Sequence, residues 1–227
     1  MYEALASKCD QSILRPELLS EGFITKIAED AKKLGFRGVV VHPCNIELVK
    51  KLLLTKVLTI SVCDFPHGKG LTKSRVKDIK EILKLGADEI DIVANYQYLI
   101  EDDIRNFKKD LKAIAKSMEG KLLKIILEID LLNEKQIKTA TQVISKIANE
   151  ENAKLAIKTK TGFAEKKFPN INAVQIIKKA LEGLNSYGED KIMIKASGGI
   201  STKEEAIQLL QAGAHILGIS KGIEIVA

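Results

Sequence analysis

The sequence predicts an α/β chain folded as a (β/α)8 TIM barrel, on three observations. One unit recurs: an amphipathic stretch, a glycine, then a short apolar run. It is clearest in AKKLGFRGVVV (Ala31 to Val41), EILKLGADEIDIV (Glu81 to Val93) and QLLQAGAHILGI (Gln208 to Ile219). The apolar runs are short and rich in Ile, Val and Leu, as suits strands covered on both faces in a parallel sheet. No Pro/Gly/Ser-rich linker or shift of composition divides the 227 residues, so one domain spanning 1–227 is expected, with a shortened last helix.

The elements follow in order. A first strand is read around Lys8 to Asp10, then a helix over Phe23 to Leu34, whose apolar residues recur at three- and four-residue steps. Gly35, Gly86 and Gly213 serve as helix stops, because the residue just past a helix commonly takes a left-handed φ that costs glycine little. Strands are predicted at Val57 to Val62, Lys124 to Ile129, Leu155 to Lys158 and Ile192 to Lys195, besides those closing the three repeats above. Helices are predicted over Ser74 to Leu85, Ile104 to Met118, Glu134 to Asn149 and Ile171 to Leu184. STKEEA after Ile200 offers a Ser or Thr with a Glu three positions later, a capping-box start for the next helix. Gly222 to Ala227 leaves room for a helical stub. Eight strands and about seven full helices favour closure over the alternative, an open doubly wound sheet.

Composition narrows the function. Lys+Arg number 36 against 30 Asp+Glu, a net charge of +6, but only Arg15, Arg37, Arg75 and Arg105 are arginine, aromatic content is 4% and tryptophan is absent. A solvated lysine surface fits this better than a nucleic-acid platform, which needs basic clusters interleaved with stacking rings. No apolar run reaches eighteen residues, and MYEALASKCDQS lacks a basic start followed by an apolar stretch, so no membrane partner and a cytoplasmic location are expected. Cys9, Cys44 and Cys63 show neither a disulfide framework nor a C-x-x-C spacing.

In such a barrel, reactive groups sit at the C-terminal ends of strands. Two ends nearly repeat each other: LAIKTKTGF carries Lys158 and reaches Gly162, and IMIKASGGI carries Lys195 and reaches Gly198 and Gly199. Two-residue alternation sends the isoleucines to one face and both lysines to the other, the barrel axis. Two ammonium groups crowded in a desolvated interior disfavour each other's charge, so one becomes the neutral amine that imine formation requires. EIDIVAN points Glu89 and Asp91 inward, and KIILEID points Lys124, Ile126 and Glu128 inward. Asp91 and Asp10 lie near strand ends, whereas Glu89 and Lys124 lie deeper as structural partners. SGGIST and LGISKG, after strands seven and eight, have the makings of a phosphate site, with Gly198, Gly199 and Gly218 for close backbone approach, Ser220 as donor and Lys221 as charge. His42, His67 and Glu128 follow strands and are conceivable metal ligands, but no recognisable ligand spacing connects them and no metal is expected.

EIDIVAN, IKTKTGF, IKASGGI, DFPHG and the early DQSIL together resemble deoxyribose-phosphate aldolases, class I imine-forming enzymes, over Asp10 to Gly222. The resemblance implies reversible cleavage of 2-deoxy-D-ribose 5-phosphate to glyceraldehyde 3-phosphate and acetaldehyde, with a sugar phosphate and an aldehyde as small-molecule partners and no metal or organic cofactor. It implies that Lys158 forms the imine, that Lys195 depresses its basicity, that Asp91 shuttles protons with a water and that Asp10 supports Lys195. Thr161, Gly162, Gly198, Gly199, Gly218 and Ser220 match its substrate and phosphate positions. Departures are Lys160 where serine is frequent, which adds charge or turns outward, Val40 where cysteine is common, and the loop GISKG. A class I aldolase acting on a ketose phosphate and a non-catalytic sugar-phosphate-binding barrel share most of these features. Apolar residues on outer helices suggest a homodimer or homotetramer.

Overall fold

The computed structural model describes residues 5–16, 20–54, 56–165 and 167–226. Eight parallel strands close in sequence order: β1 (Cys9–Ser12), β2 (Gly38–Val41), β3 (Leu58–Cys63), β4 (Glu89–Val93), β5 (Leu122–Ile126), β6 (Leu155–Lys158), β7 (Met193–Ser197) and β8 (Ile216–Ile219), with β8 pairing back onto β1. Around them, among the described residues, run α1 (Glu21–Lys33), α2 (Ile46–Leu53), α3 (Thr72–Lys84), α4 (Gln97–Ile100), α5 (Ile104–Lys116), α6 (Glu134–Glu151), α7 (Asn170–Gly183), α8 (Lys203–Ala212) and the stub α9 (Gly222–Val226).

Local chemistry sets the helix ends. Ser20, Asp103, Asn133 and Thr202 each accept a backbone N–H with the side chain at the start of α1, α5, α6 and α8, and Thr202 with Glu205 completes the capping box foreseen in STKEEA. The three glycine stops take φ of 72°, 102° and 118° at Gly35, Gly86 and Gly213. The two-residue alternation of each strand then divides the buried side chains. Ile90, Ile92, Ile125, Ile157 and Ile194 face the helices in the main apolar layer, while Val40, Ile60 and Val62 form a separate apolar cluster with Leu14 inside the barrel.

Two expectations need correction. The fifth strand is Leu122–Ile126, not Lys124 to Ile129: Glu128 adopts a left-handed φ of 56° and Ile129–Leu131 forms a 3-10 turn, so the apolar run outlasts the strand. Glu128 is therefore a rim residue rather than an inward strand position. Helices α2 and α4 were missed, the first because PCNIELVKKLLL follows β2 through a 3-10 turn at Pro43–Asn45 with little polar punctuation.

Candidate active site

Strand register places Lys158 directly beside Lys195, and Asp91 beside Lys124. All four side chains point into the barrel and are almost fully buried. Asp91 is the hub: its Oδ2 accepts from Lys158 Nζ at 2.8 Å and from Lys195 Nζ at 2.9 Å, and its Oδ1 accepts from Lys124 Nζ at 2.8 Å. Lys195 also donates to Asp10 Oδ2 at 2.6 Å. Arg37, from the turn before β2, donates to Asp10 Oδ1 at 2.8 Å and to Glu89 Oε1 at 2.5 Å, and Glu89 Oε2 meets Lys124 at 2.7 Å.

These contacts set the charge states. Burial alone would neutralise Asp91, but Lys124, Lys158 and Lys195 outweigh it and hold the carboxyl well below its usual range. Burial opposes Asp10 in the same way, and Lys195, Arg37 and Lys124 hold it low. Lys124 is kept protonated above its usual value because Asp91 and Glu89 overcome its desolvation. Lys158 goes the other way from Lys124. Burial is the largest cause, Asp91 resists it, and Lys195 and Lys124 add to it, leaving the amine at about 8. Desolvation and the like charge of Lys195 act in the same direction, with desolvation the larger, while Asp91 bridges both nitrogens.

Lys158 opens onto a cleft of about 200 Å³ lined by Thr161, Gly162, Phe163, Gly198, Gly199, Gly218 and Ser220, among others. All six positions foreseen for substrate and phosphate are on this wall, and Arg15 and Lys221 bring positive charge to it. Arg15 escaped the sequence reading because its loop after β1 carries no glycine signature. The glycines have different reasons. Gly198 has φ of 86° and a Cβ there would stand 2.8 Å from Lys160 Cγ; Gly218 has ordinary φ, but its Cβ would stand 2.9 Å from Lys195 Cε. Gly218 thus makes room for Lys195.

The two motif loops are tied together. Thr159 Oγ1 accepts the Ser197 N–H at 3.0 Å, and Ser197 Oγ donates to the Lys160 carbonyl at 2.6 Å. Thr161 gives its hydroxyl proton to Glu128 Oε2 and accepts the Phe163 N–H at 3.1 Å, so that side chain shapes the loop. Lys160 neither charges the cleft nor turns outward: it is buried and paired with both oxygens of Asp130 at 3.0 Å, while Asp130 also accepts the Lys167 and Phe168 N–H groups. Phe65 faces Phe163 edge-on at 5.3 Å and lies 5.9 Å from Lys158 Nζ. His42 instead pairs with the Leu14 carbonyl at 3.1 Å, and no group of three His, Cys, Asp or Glu able to hold a metal occurs among the described residues.

This constellation can carry a carbonyl compound as an imine on a buried amine, with an anion held by the glycine loops. A family model for DeoC/LacD family aldolases matches residues 9–225. The chain belongs to that aldolase family. This aldolase is 35% identical over 226 residues to the deoxyribose-phosphate aldolase of Dictyoglomus turgidum, covering 99% of this chain and 96% of the relative. It is 36% identical over 218 residues to that of Finegoldia magna, covering 96% of each. Among solved structures, the aldolase QR15 superposes with a TM-score of 0.87 at 32% identity over 98% of this chain and 94% of that one. The tetrameric deoxyribose phosphate aldolase from Aeropyrum pernix gives 0.83 at 25% identity over 100% and 91%. No helix among the described residues of this aldolase is long and apolar enough to cross a membrane.

Proposed function

We propose that this aldolase reversibly cleaves 2-deoxy-D-ribose 5-phosphate to D-glyceraldehyde 3-phosphate and acetaldehyde through an imine on Lys158. The observation that carries the reading is the shared oxygen: Asp91 Oδ2 lies 2.8 Å from Lys158 Nζ, a buried amine whose basicity falls to about 8. An ordinary lysine near 10.4 is almost wholly protonated at neutral pH and a poor nucleophile.

In the proposed cycle the neutral Lys158 amine adds to the C1 aldehyde and water leaves, giving an iminium whose positive charge forms against Asp91. A base takes the C3 hydroxyl proton, the C2–C3 bonding pair moves into the iminium, and glyceraldehyde 3-phosphate departs from an enamine. Protonation at C2 and hydrolysis then release acetaldehyde and the free amine. Lys195, held between Asp10 and Asp91, is the proton carrier in this reading, with Asp91, whose carboxyl the three lysines hold well below its usual range, passing protons through a water. The loops at Gly198, Gly199, Gly218 and Ser220 would take the phosphate, with Arg15 and Lys221 as its charge partners. Cytoplasmic action and a homodimeric or homotetrameric assembly complete the proposal; exposed Leu71, Ile100 and Leu131 support assembly.

The test is acetaldehyde release from deoxyribose 5-phosphate, measured with and without EDTA and beside a panel of ketose phosphates. Activity on the deoxysugar that survives the chelator is expected. Turnover confined to a ketose phosphate, or lost with EDTA, would overturn the reading.

A further inference from the structure

The interior ion pairs close on themselves. From Arg37 the contacts run to Asp10, Lys195, Asp91, Lys124 and Glu89, and back to Arg37, each step between opposite charges and none longer than 2.9 Å. Among the described residues, Lys158 hangs on this ring through Asp91 alone. The charges come from Asp10 on β1, Glu89 and Asp91 on β4, Lys124 on β5, Lys158 on β6 and Lys195 on β7, while the inward faces of β2, β3 and β8, with Val40, Ile60, Val62 and Gly218 among them, carry none. At the rim, Lys160 and Asp130 neutralise each other and Glu128 is bonded to Thr161; at the floor, Asp88 is paired with Lys50.

The count is uneven. Among the described residues, Arg37, Lys124, Lys158 and Lys195 face only Asp10, Glu89 and Asp91. A buried surplus charge is costly, and the system sheds it at the group with fewest partners. Among the described residues each cation of the ring touches two opposite charges, whereas Lys158 touches one. Arginine cannot give up its proton, so the surplus cannot be discharged at Arg37 itself.

We propose that Arg37, at the floor of the barrel and away from the cleft, is a positioning residue for the reactive amine: it closes the ring and supplies the fourth cation that leaves Lys158 the uncompensated one. The inference rests on Lys158 being the reactive amine. Its chemistry is plain charge balance. Without Arg37, three lysines face three carboxylates, and a protonated Lys158 completes the balance. Without Glu89, four cations face two carboxylates, and Lys158 is discharged more readily still.

The two substitutions therefore act in opposite directions on one observable. In the intact enzyme, the pH dependence of Lys158 acylation by a small reagent such as acetic anhydride, read by mass spectrometry of its peptide, gives the midpoint directly and requires no turnover. Arg37→Met should raise that midpoint by about one unit, with Arg37→Lys close to the unmodified protein, and Glu89→Gln should lower it. Michaelis constants should stay put, since neither side chain reaches the cleft. Coincident midpoints for Arg37→Met and the parent, or shifts of the same sign in both variants, would overturn the proposal. If Arg37→Met fails to fold, the downward shift in Glu89→Gln decides the matter. An enzyme whose Lys158 titrates as described but forms no imine with substrate would defeat the functional reading and leave the ring intact.

Discussion

Replacing Lys195 by leucine removes the nearest like charge from Lys158. Both nitrogens bond to Asp91 Oδ2, at 2.8 and 2.9 Å, which places them roughly 5 Å apart. At an effective dielectric near 20, two unit charges at that separation repel by about 3 kcal/mol, equivalent to about two pKa units. Burial of Lys158 persists in the variant, so its amine should move upward from about 8 by one to about two units. At pH 7 the neutral fraction then falls about 10- to 100-fold, and kcat/KM for cleavage falls at least as far. The acid limb of the kcat/KM profile, recorded from pH 6 to 10, should shift to higher pH by the same interval. A profile that loses height but keeps its midpoint within a few tenths of a unit would refute the electrostatic coupling and leave Lys195 only a proton-transfer role. The variant should also be less stable, by about 3 kcal/mol or more, because Asp10 and Asp91 each lose a buried partner.

Gly218→Ala tests the packing of the same lysine: the new Cβ would stand 2.9 Å from Lys195 Cε, so kcat should fall about tenfold or more with little change in the thermal midpoint, and an unaffected kcat would show that Lys195 has slack. Lys160→Ala removes one partner of the buried pair with Asp130 and should cost about 3–5 kcal/mol in urea unfolding; a cost under 1 kcal/mol would show the pair to be dispensable. Stability should also depend on alkaline pH. Lys158 titrates at about 8 in the folded chain and near 10.5 unfolded, so the unfolded state binds the extra proton between those values and folding becomes more favourable as pH rises through them, by about 3 kcal/mol in total. Lys158→Met should abolish that rise in denaturant titrations at pH 8 and 10; an equal rise in both proteins would assign it elsewhere.

The barrel and the paired lysines were legible because they rest on local rules. Two-residue alternation aimed Lys158 and Lys195 inward, and the helix stops at Gly35, Gly86 and Gly213 marked the repeats. What remained hidden depends on partners distant in the chain. Lys160 looked like a charge beside the reactive lysine, yet Asp130, thirty residues earlier, absorbs it; only the turn at Ile129–Leu131 brings that carboxylate within reach. Arg37 precedes β2 in a segment with no catalytic signature, and its importance appears only when β1 and β4 present Asp10 and Glu89 to the same guanidinium. Glu128 was misread because an apolar run was taken to be all strand. Alternation fails where a backbone turns left-handed, and no residue type in LLKIILEID announces that turn.

Treatment of the enzyme with borohydride in the presence of deoxyribose 5-phosphate is the most direct measurement. Hydride should reduce the imine between Lys158 and the substrate carbon to a stable secondary amine, leaving a permanent mass increase on the peptide that carries Lys158 and abolishing activity in step. No adduct, or an adduct borne by Lys195 or a surface lysine, would contradict the account.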